Sequence, residues 1–177
     1  MTRKKKKSLD TLIPDIYEVV GKLGKGEALD VSEEDLDKFG EFMRQALKDW
    51  LTPRANKKPT LRMSNIGRPE RQLWFDMKKD NYTNNGVNPP TMIKFLYGHL
   101  LERVVLLLTE LADHDVTDEQ KEIKVKGILG HMDCKIDGEV IDIKSASNFA
   151  FKKFVNGTLA ESDAFGYMAQ LSGYEAA

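Results

Sequence analysis

Asp133, Asp142 and Lys144 are the residues of this 177-residue chain whose types and spacing point most directly to chemistry. They lie in the run Gly130-His131-Met132-Asp133-Cys134-Lys135-Ile136-Asp137-Gly138-Glu139-Val140-Ile141-Asp142-Ile143-Lys144. Asp-Gly between two alternating runs predicts a two-residue type I′ hairpin turn, because both central positions require positive φ. Counting outward from that turn, Ile136 faces Glu139, Cys134 faces Ile141, Asp133 faces Asp142 and His131 faces Lys144. Side chains alternate across a strand, so Met132, Cys134, Ile136, Ile141 and Ile143 share one face. His131, Asp133, Lys135, Val140, Asp142 and Lys144 share the other. Two carboxylates directly opposite each other repel and weaken the pairing, so something positive must compensate. Lys144 is one candidate, and a divalent cation held by oxygen ligands is the other. The bland alternative is a polar face that meets only water.

The elements that must position these residues follow from periodicity. Residues 1–8 are expected to form a basic disordered arm. Leu9–Val20 reads as a helix that Gly21, Gly24 and Gly26 then break. Ser32 with Asp35 is a helix-start signal, and Leu36, Phe39, Phe42, Met43, Ala46, Leu47 and Trp50 follow at helical spacing until Pro53. Arg54 to Thr60 is a basic loop. Ser64 to Phe75 enters a further helix, with Pro69 near its first turn. Asn81 to Pro90 is a loop, and a long apolar helix runs on to about Leu111. Glu122–Val125, Ile128–Ile136 and Val140–Lys144 read as strands, and Phe149–Phe154 opens a C-terminal helical part. Helices, then strands, then helices argue for an α+β domain around a small mixed sheet.

Composition narrows the classes. Hydrophobic residues make up 41% and charged residues 31%, as in an ordinary globular domain, and the net charge of -1 is unevenly spread. Arg3–Lys7 is a basic run, Arg54, Lys57, Lys58, Arg62, Arg68 and Arg71 cluster, and Glu27–Asp37 is acidic. Binding a polyanion requires local positive charge, not a positive total. The single cysteine, Cys134, excludes an internal disulfide, a four-cysteine zinc site and a cysteine-ligated iron–sulfur cluster, and suits a reducing cytoplasm. The most apolar segment, Phe95–Leu111, contains His99, Glu102, Arg103 and Glu110, which argues for a core helix and against a membrane span. His99, Glu102, Arg103, Leu106 and Glu110 fall on one stripe of that helix, where Glu102 can meet either the charged face of the hairpin or water.

In order along the chain, Gly98-x-x-x-Glu102, Gly130-x-x-Asp133, Asp142-x-Lys144-Ser145 and Gln170-x-x-x-Tyr174 resemble the motifs of the PD-(D/E)XK nuclease superfamily, in its RecB-like and phage lambda-type exonuclease branch. The similarity spans roughly Ser64 to Tyr174. It implies a restriction-endonuclease-like α+β fold with a catalytic hairpin flanked by helices. The extra N-terminal helices would occupy 9–60, and a nuclease core, expected to be C-terminally incomplete, would occupy 61–177.

The resemblance also implies roles. Asp133 and Asp142 would be the principal ligands of one or two Mg²⁺ or Mn²⁺ ions, with Glu102 completing the set and the carbonyl of Ile143 ligating. Lys144 would orient the attacking water or stabilise the charged transition state. Gln170 and Tyr174, at i and i+4 on one helix face, would support the site or touch DNA. Ser64-Asn65-Ile66-Gly67-Arg68-Pro69-Glu70-Arg71-Gln72 resembles the segment that contacts DNA ahead of the core in related nucleases, with Ser64, Arg68 and Arg71 on phosphate. Ser145 would add a DNA contact; His131, beside Lys144 on the polar face of the counted register, reads as an ordinary structural histidine ahead of a phosphate contact. The implied partners are DNA and a single-strand annealing protein, in a bacterial host cell, with no iron–sulfur cluster and no membrane. The expected activity is exonucleolytic DNA hydrolysis in recombination or DNA degradation. The alternatives are a DNA-binding module with this fold but no activity, and a restriction-type endonuclease.

Overall fold

The computed structural model describes residues 7–52, 60–78 and 87–177. The basic arm up to residue 6, the basic loop from Arg54 and the Asn84-Asn85-Gly86 stretch lie outside them. Six α-helices and five short strands among the described residues make the chain α+β. They group into two compact units, residues 1–53, 88–117 and 135–139 in one and 54–87, 118–134 and 140–177 in the other. No helix of the described residues is long and apolar enough to cross a membrane.

The first unit is built on three helices, α1 (Leu9–Gly24), α2 (Glu33–Leu51) and α4 (Pro89–Leu111), with the short strand β1 (Val116–Thr117). α1 runs through Gly21, where a break was expected; one helical glycine costs only about 1 kcal/mol relative to alanine, too little to end a helix. Ser32 starts α2 as expected, its Oγ accepting the Asp35 N–H at 3.1 Å. α4 starts earlier than read: Pro89 and Pro90, taken for loop, occupy its first turn, where a missing N–H is harmless, and Asn88 caps it. Trp50 Nε1 donates to the carbonyl of Met92 at 2.8 Å and ties the end of α2 to the start of α4. Glu102, Arg103, Leu106 and Thr109 are the buried residues of α4.

His114, just past α4, is wholly buried at its side chain and gathers two carboxylates of the same unit. Its Nδ1 lies 2.6 Å from Asp137 Oδ2 at the hairpin tip, and its Nε2 lies 3.1 Å from Asp15 Oδ2 on α1. Both ring nitrogens thus meet a carboxylate oxygen. Asp15 is held down to about 2, first by the hydrogen bond from Lys7 and further by His114. Burial alone would raise Asp137, but the His114 hydrogen bond and the Asp115 N–H outweigh it and hold it below the usual carboxylate range. A carboxyl depressed in the fold stabilises it above the ordinary carboxylate range and loses that contribution as pH falls toward the folded value. Urea unfolding should therefore show stability dropping below pH 4, with a shallower slope in Asp137→Asn. His114→Ala, which takes from Asp137 and Asp15 the ring they share, should lose about 2 kcal/mol at pH 7.

The second unit holds α3 (Glu70–Met77), β2 (Lys121–Val125), β3 (Ile128–Met132), α5 (Asn148–Val155) and α6 (Tyr167–Glu175). Its core is Met63, Met132 and Tyr174, packed by Ile66, Ile123, Val125, Ile128 and Val140. The helix expected from Ser64 is instead a 3-10 turn, Met63–Asn65, and α3 begins only after Pro69. Gly130 must be glycine, since a Cβ there would come within 2.5 Å of Met63 Cβ and Cγ and 2.9 Å of Tyr174 Cε1.

The hairpin forms at the predicted turn: Asp137 and Gly138 have φ of 53° and 92°, between β4 (Cys134–Ile136) and β5 (Glu139–Ile141). Two corrections apply. Ile128–Ile136 is not one strand, because the chain leaves the β2–β3 ladder at Asp133 and joins a second sheet of order β1-β4-β5. Strand β5 also stops at Ile141, so Asp142 and Lys144 lie just past its end. The β2–β3 and β1–β4 ladders are antiparallel, and a single Arg62–Leu129 bridge is parallel.

Candidate active site

Asp133 sits at the break between β3 and β4. Its carbonyl accepts the Gln120 N–H at 2.9 Å, and its Oδ2 accepts the Ile143 N–H at 2.8 Å. The backbone of one strand end thus aims the carboxylate of the other. Asp142 follows β5, its side chain 9% exposed, and Lys144 Nζ donates to its Oδ1 at 2.6 Å. The same ammonium lies 3.8 Å from Asp133 Oδ2. The register counted from the turn thus brings these three side chains together, two carboxylates against one ammonium.

Behind them stands α6. Gln170 Nε2 donates to Tyr174 Oη at 2.9 Å and, over a longer 3.4 Å, to Asp142 Oδ1. Both N–H bonds of that amide are used, which fixes its orientation. Gln170 and Tyr174 are both buried, as suits residues that support the site. Tyr174 is raised by burial first, with the hydrogen bond from Gln170 acting against it.

The electrostatics show an uneven balance. Burial raises the Asp142 carboxyl above its usual range against the hydrogen bond and charge of Lys144, and the neighbouring Asp133 adds to the rise. Burial would lower the Lys144 ammonium, but its hydrogen bond to Asp142 and the charge of Asp133 raise it. Like charges held close are the arrangement that an added cation relieves. The side-chain donors here, two carboxylates, are hard oxygens. They suit an ion such as Mg²⁺, which keeps much of its own water and binds through one or two carboxylates. Among the described residues no three His, Cys, Asp or Glu side chains form a metal-holding group. Glu102, expected as the third carboxylate, belongs to the first unit, where it is buried on α4.

The other expected contacts are more scattered. His131 was read as facing Lys144, but it lies on β3 opposite Glu122 of β2, 3.6 Å from its carboxylate and 60% exposed at its side chain. The strand break at Asp133 is the reason, since it ends the register counted from the turn. Ser64 is exposed in the 3-10 turn. Arg68 pairs with Asp76 at 3.7 Å, and Arg71 lies 5.8 Å over the Phe75 ring. Ser145 is exposed beside Lys144 and lines a cavity that the sequence did not disclose. The signal for that cavity was the density of aromatic and lysine residues from Phe149 onward. Compared with known protein families, curated proteins and solved structures, the chain matches none.

Proposed function

We propose that this chain is a divalent-cation-dependent DNA nuclease of the PD-(D/E)XK type with a restriction-endonuclease-like core, acting from DNA ends. The observation that carries the reading is the half-buried pair Asp133 and Asp142 sharing one ammonium, Lys144, with Gln170 bonded to Asp142 from behind. Asp133, Asp142 and the carbonyl of Ile143 would hold the cation. When bound, it supplies an activated water and neutralises phosphate oxygens.

The chain's own residues do the rest. The Ile143 N–H keeps Asp133 aimed, and the Gln170 amide, locked on Tyr174, keeps Asp142 from turning away. Lys144 already spans both carboxylates. A phosphodiester placed there adds its own non-bridging oxygens as acceptors for that ammonium, and hydrogen bonds to ionised partners are about twice as strong as neutral ones. As the scissile phosphate gains charge in the transition state, the ammonium stabilises it more than it does the ground state.

The test is incubation with linear, end-labelled duplex DNA and Mg²⁺ or Mn²⁺. The expected result is progressive shortening of the label, abolished by chelator and lowered by about a hundredfold or more in Lys144→Ala. Salt-sensitive DNA binding with no hydrolysis in either metal would overturn the proposal. Cutting of covalently closed circles would overturn its end-dependence.

A further inference from the structure

A cavity of about 270 Å³ opens beside Lys144 within the second unit, walled by Phe154, Phe165 and Tyr167 and edged by Lys153. It is smaller than the roughly 300–1000 Å³ typical of drug-sized ligands, so its occupant is compact. Its wall is aromatic. Phe165 and Tyr167 stack with centroids 5.5 Å apart and planes 23° apart, and Phe154 lies 6.3 Å from Tyr167 at 33°. A cluster serving only as core would bury these rings, yet Phe165 is 61% exposed and Phe154 42%. Near-parallel rings with a free face offer a platform for another flat ring.

The rim supplies charge. Lys153 Nζ is held by Ser162, 2.8 Å from its Oγ and 3.5 Å from its carbonyl, and lies 5.4 Å from the centroid of the Phe149 ring. None of these partners carries a formal negative charge, so the ammonium is fixed in place without being neutralised. Asp163, the acid on the cavity wall, uses both oxygens on backbone N–H groups, Gly166 at 2.9 Å and Met168 at 2.8 Å. A flat apolar wall with a positioned cation at one edge matches a base and the phosphate attached to it. Inside a duplex both faces of a base are covered by its stacked neighbours, so the strand must be single at this point.

We propose that this cavity receives one unpaired nucleobase of a single strand, with Lys153 on an adjoining phosphate. That the phosphate on its Lys144 side is the one cleaved rests on the function proposed above; the seating of the base does not.

The two are separated by measuring binding in chelator, where nothing is hydrolysed. Single-stranded oligonucleotides carrying 2-aminopurine would be titrated with the full chain, following anisotropy and fluorescence quenching. Wild type should quench the base and bind the intact strand about tenfold more tightly than one with an abasic residue at that position. Phe165→Leu, which keeps apolar bulk at an exposed position, should lose about tenfold in affinity together with the quenching. Phe165→Tyr, which keeps a ring, should restore both. Equal affinity of wild type and Phe165→Leu, or equal affinity for intact and abasic strands, would overturn the cavity assignment. Binding that behaves as expected in a chain that never hydrolyses DNA would sustain the cavity and end the nuclease reading.

Discussion

Asp142→Asn is expected to lower Mg²⁺-dependent DNA cleavage by about a thousandfold while leaving the chain as stable as before. The first half follows from the proposed function, in which the change removes one of two oxygen donors whose charge would matter most as the phosphate reacts. Single groups of that kind are worth roughly 10²–10³ in rate, and a thousandfold corresponds to about 4 kcal/mol of barrier. The second half follows from the position of the side chain. The Asp142 carboxyl is raised by burial and by Asp133, so the folded chain holds its proton more tightly than the unfolded chain does. Its contribution to stability is therefore present at low pH and lost as pH rises through the folded value. At neutral pH an uncharged amide escapes that penalty and can still accept from Lys144. Thermal unfolding in chelator should give Asp142→Asn a Tm equal to or above wild type. Lys144→Ala should also lose cleavage but with a lowered Tm, because it strips the ammonium from two carboxylates. An Asp142→Asn protein within tenfold of wild-type activity would remove the pair from the chemistry. Joint loss of activity and Tm in that variant would make Asp142 a structural residue. Two carboxylates held close at a cost in stability are one of the few arrangements where a neutral substitution separates activity from folding.

How far the site was legible depends on how local each feature is. The turn at Asp137-Gly138 was readable because few dipeptides tolerate two positive φ values in succession. Two further facts came from counting outward: the burial of Met132, Cys134 and Ile136, and the approach of Asp133 to Asp142. The count failed at His131, because nothing local says that the strand changes sheets at Asp133. β1 was missed for the same kind of reason: two residues carry no period, and Val116 and Thr117 form a strand only by pairing with Ile136 and Lys135. Glu102 was open between the charged face of the hairpin and water, in a helix that is apolar on most sides. The structure buries it while exposing Leu101 and Tyr97 on the same helix. His114 drew no notice, since its two acids lie 99 and 23 residues away in sequence. Motif order along the chain disclosed which residues to compare; it did not disclose the packing that holds them.

That packing yields the second large expected effect, at a glycine the sequence presents as an ordinary part of a polar segment. Gly67 and Gly166 meet backbone to backbone: a Cβ on Gly67 would stand 2.4 Å from Gly166 Cα, 2.8 Å from its carbonyl oxygen and 2.9 Å from Ala169 Cβ. No flexible side chain is there to yield, so a methyl group must push the start of α6 away. Gly166 precedes α6 in a left-handed conformation, φ 76°, and cannot easily adjust. Overpacking of this kind costs typically 1–3 kcal/mol and more where backbone must move, so Gly67→Ala should lose about 3 kcal/mol in urea unfolding. Gly40→Ala is the matched control. That residue lies in α2 with nothing within 4 Å of an added Cβ, and the change should stabilise by roughly 0.5–1 kcal/mol through the unfolded chain. The functional consequence follows from what α6 carries. Gln170, which also donates to Tyr174, reaches Asp142 only if the first turn of α6 seats against Gly67. Gly67→Ala should therefore lose cleavage in excess of its loss of folded protein when assayed well below its own Tm, whereas Gly40→Ala should not. Equal specific activity in the two folded variants would detach α6 from the site and leave Asp133, Asp142 and Lys144 to act without it.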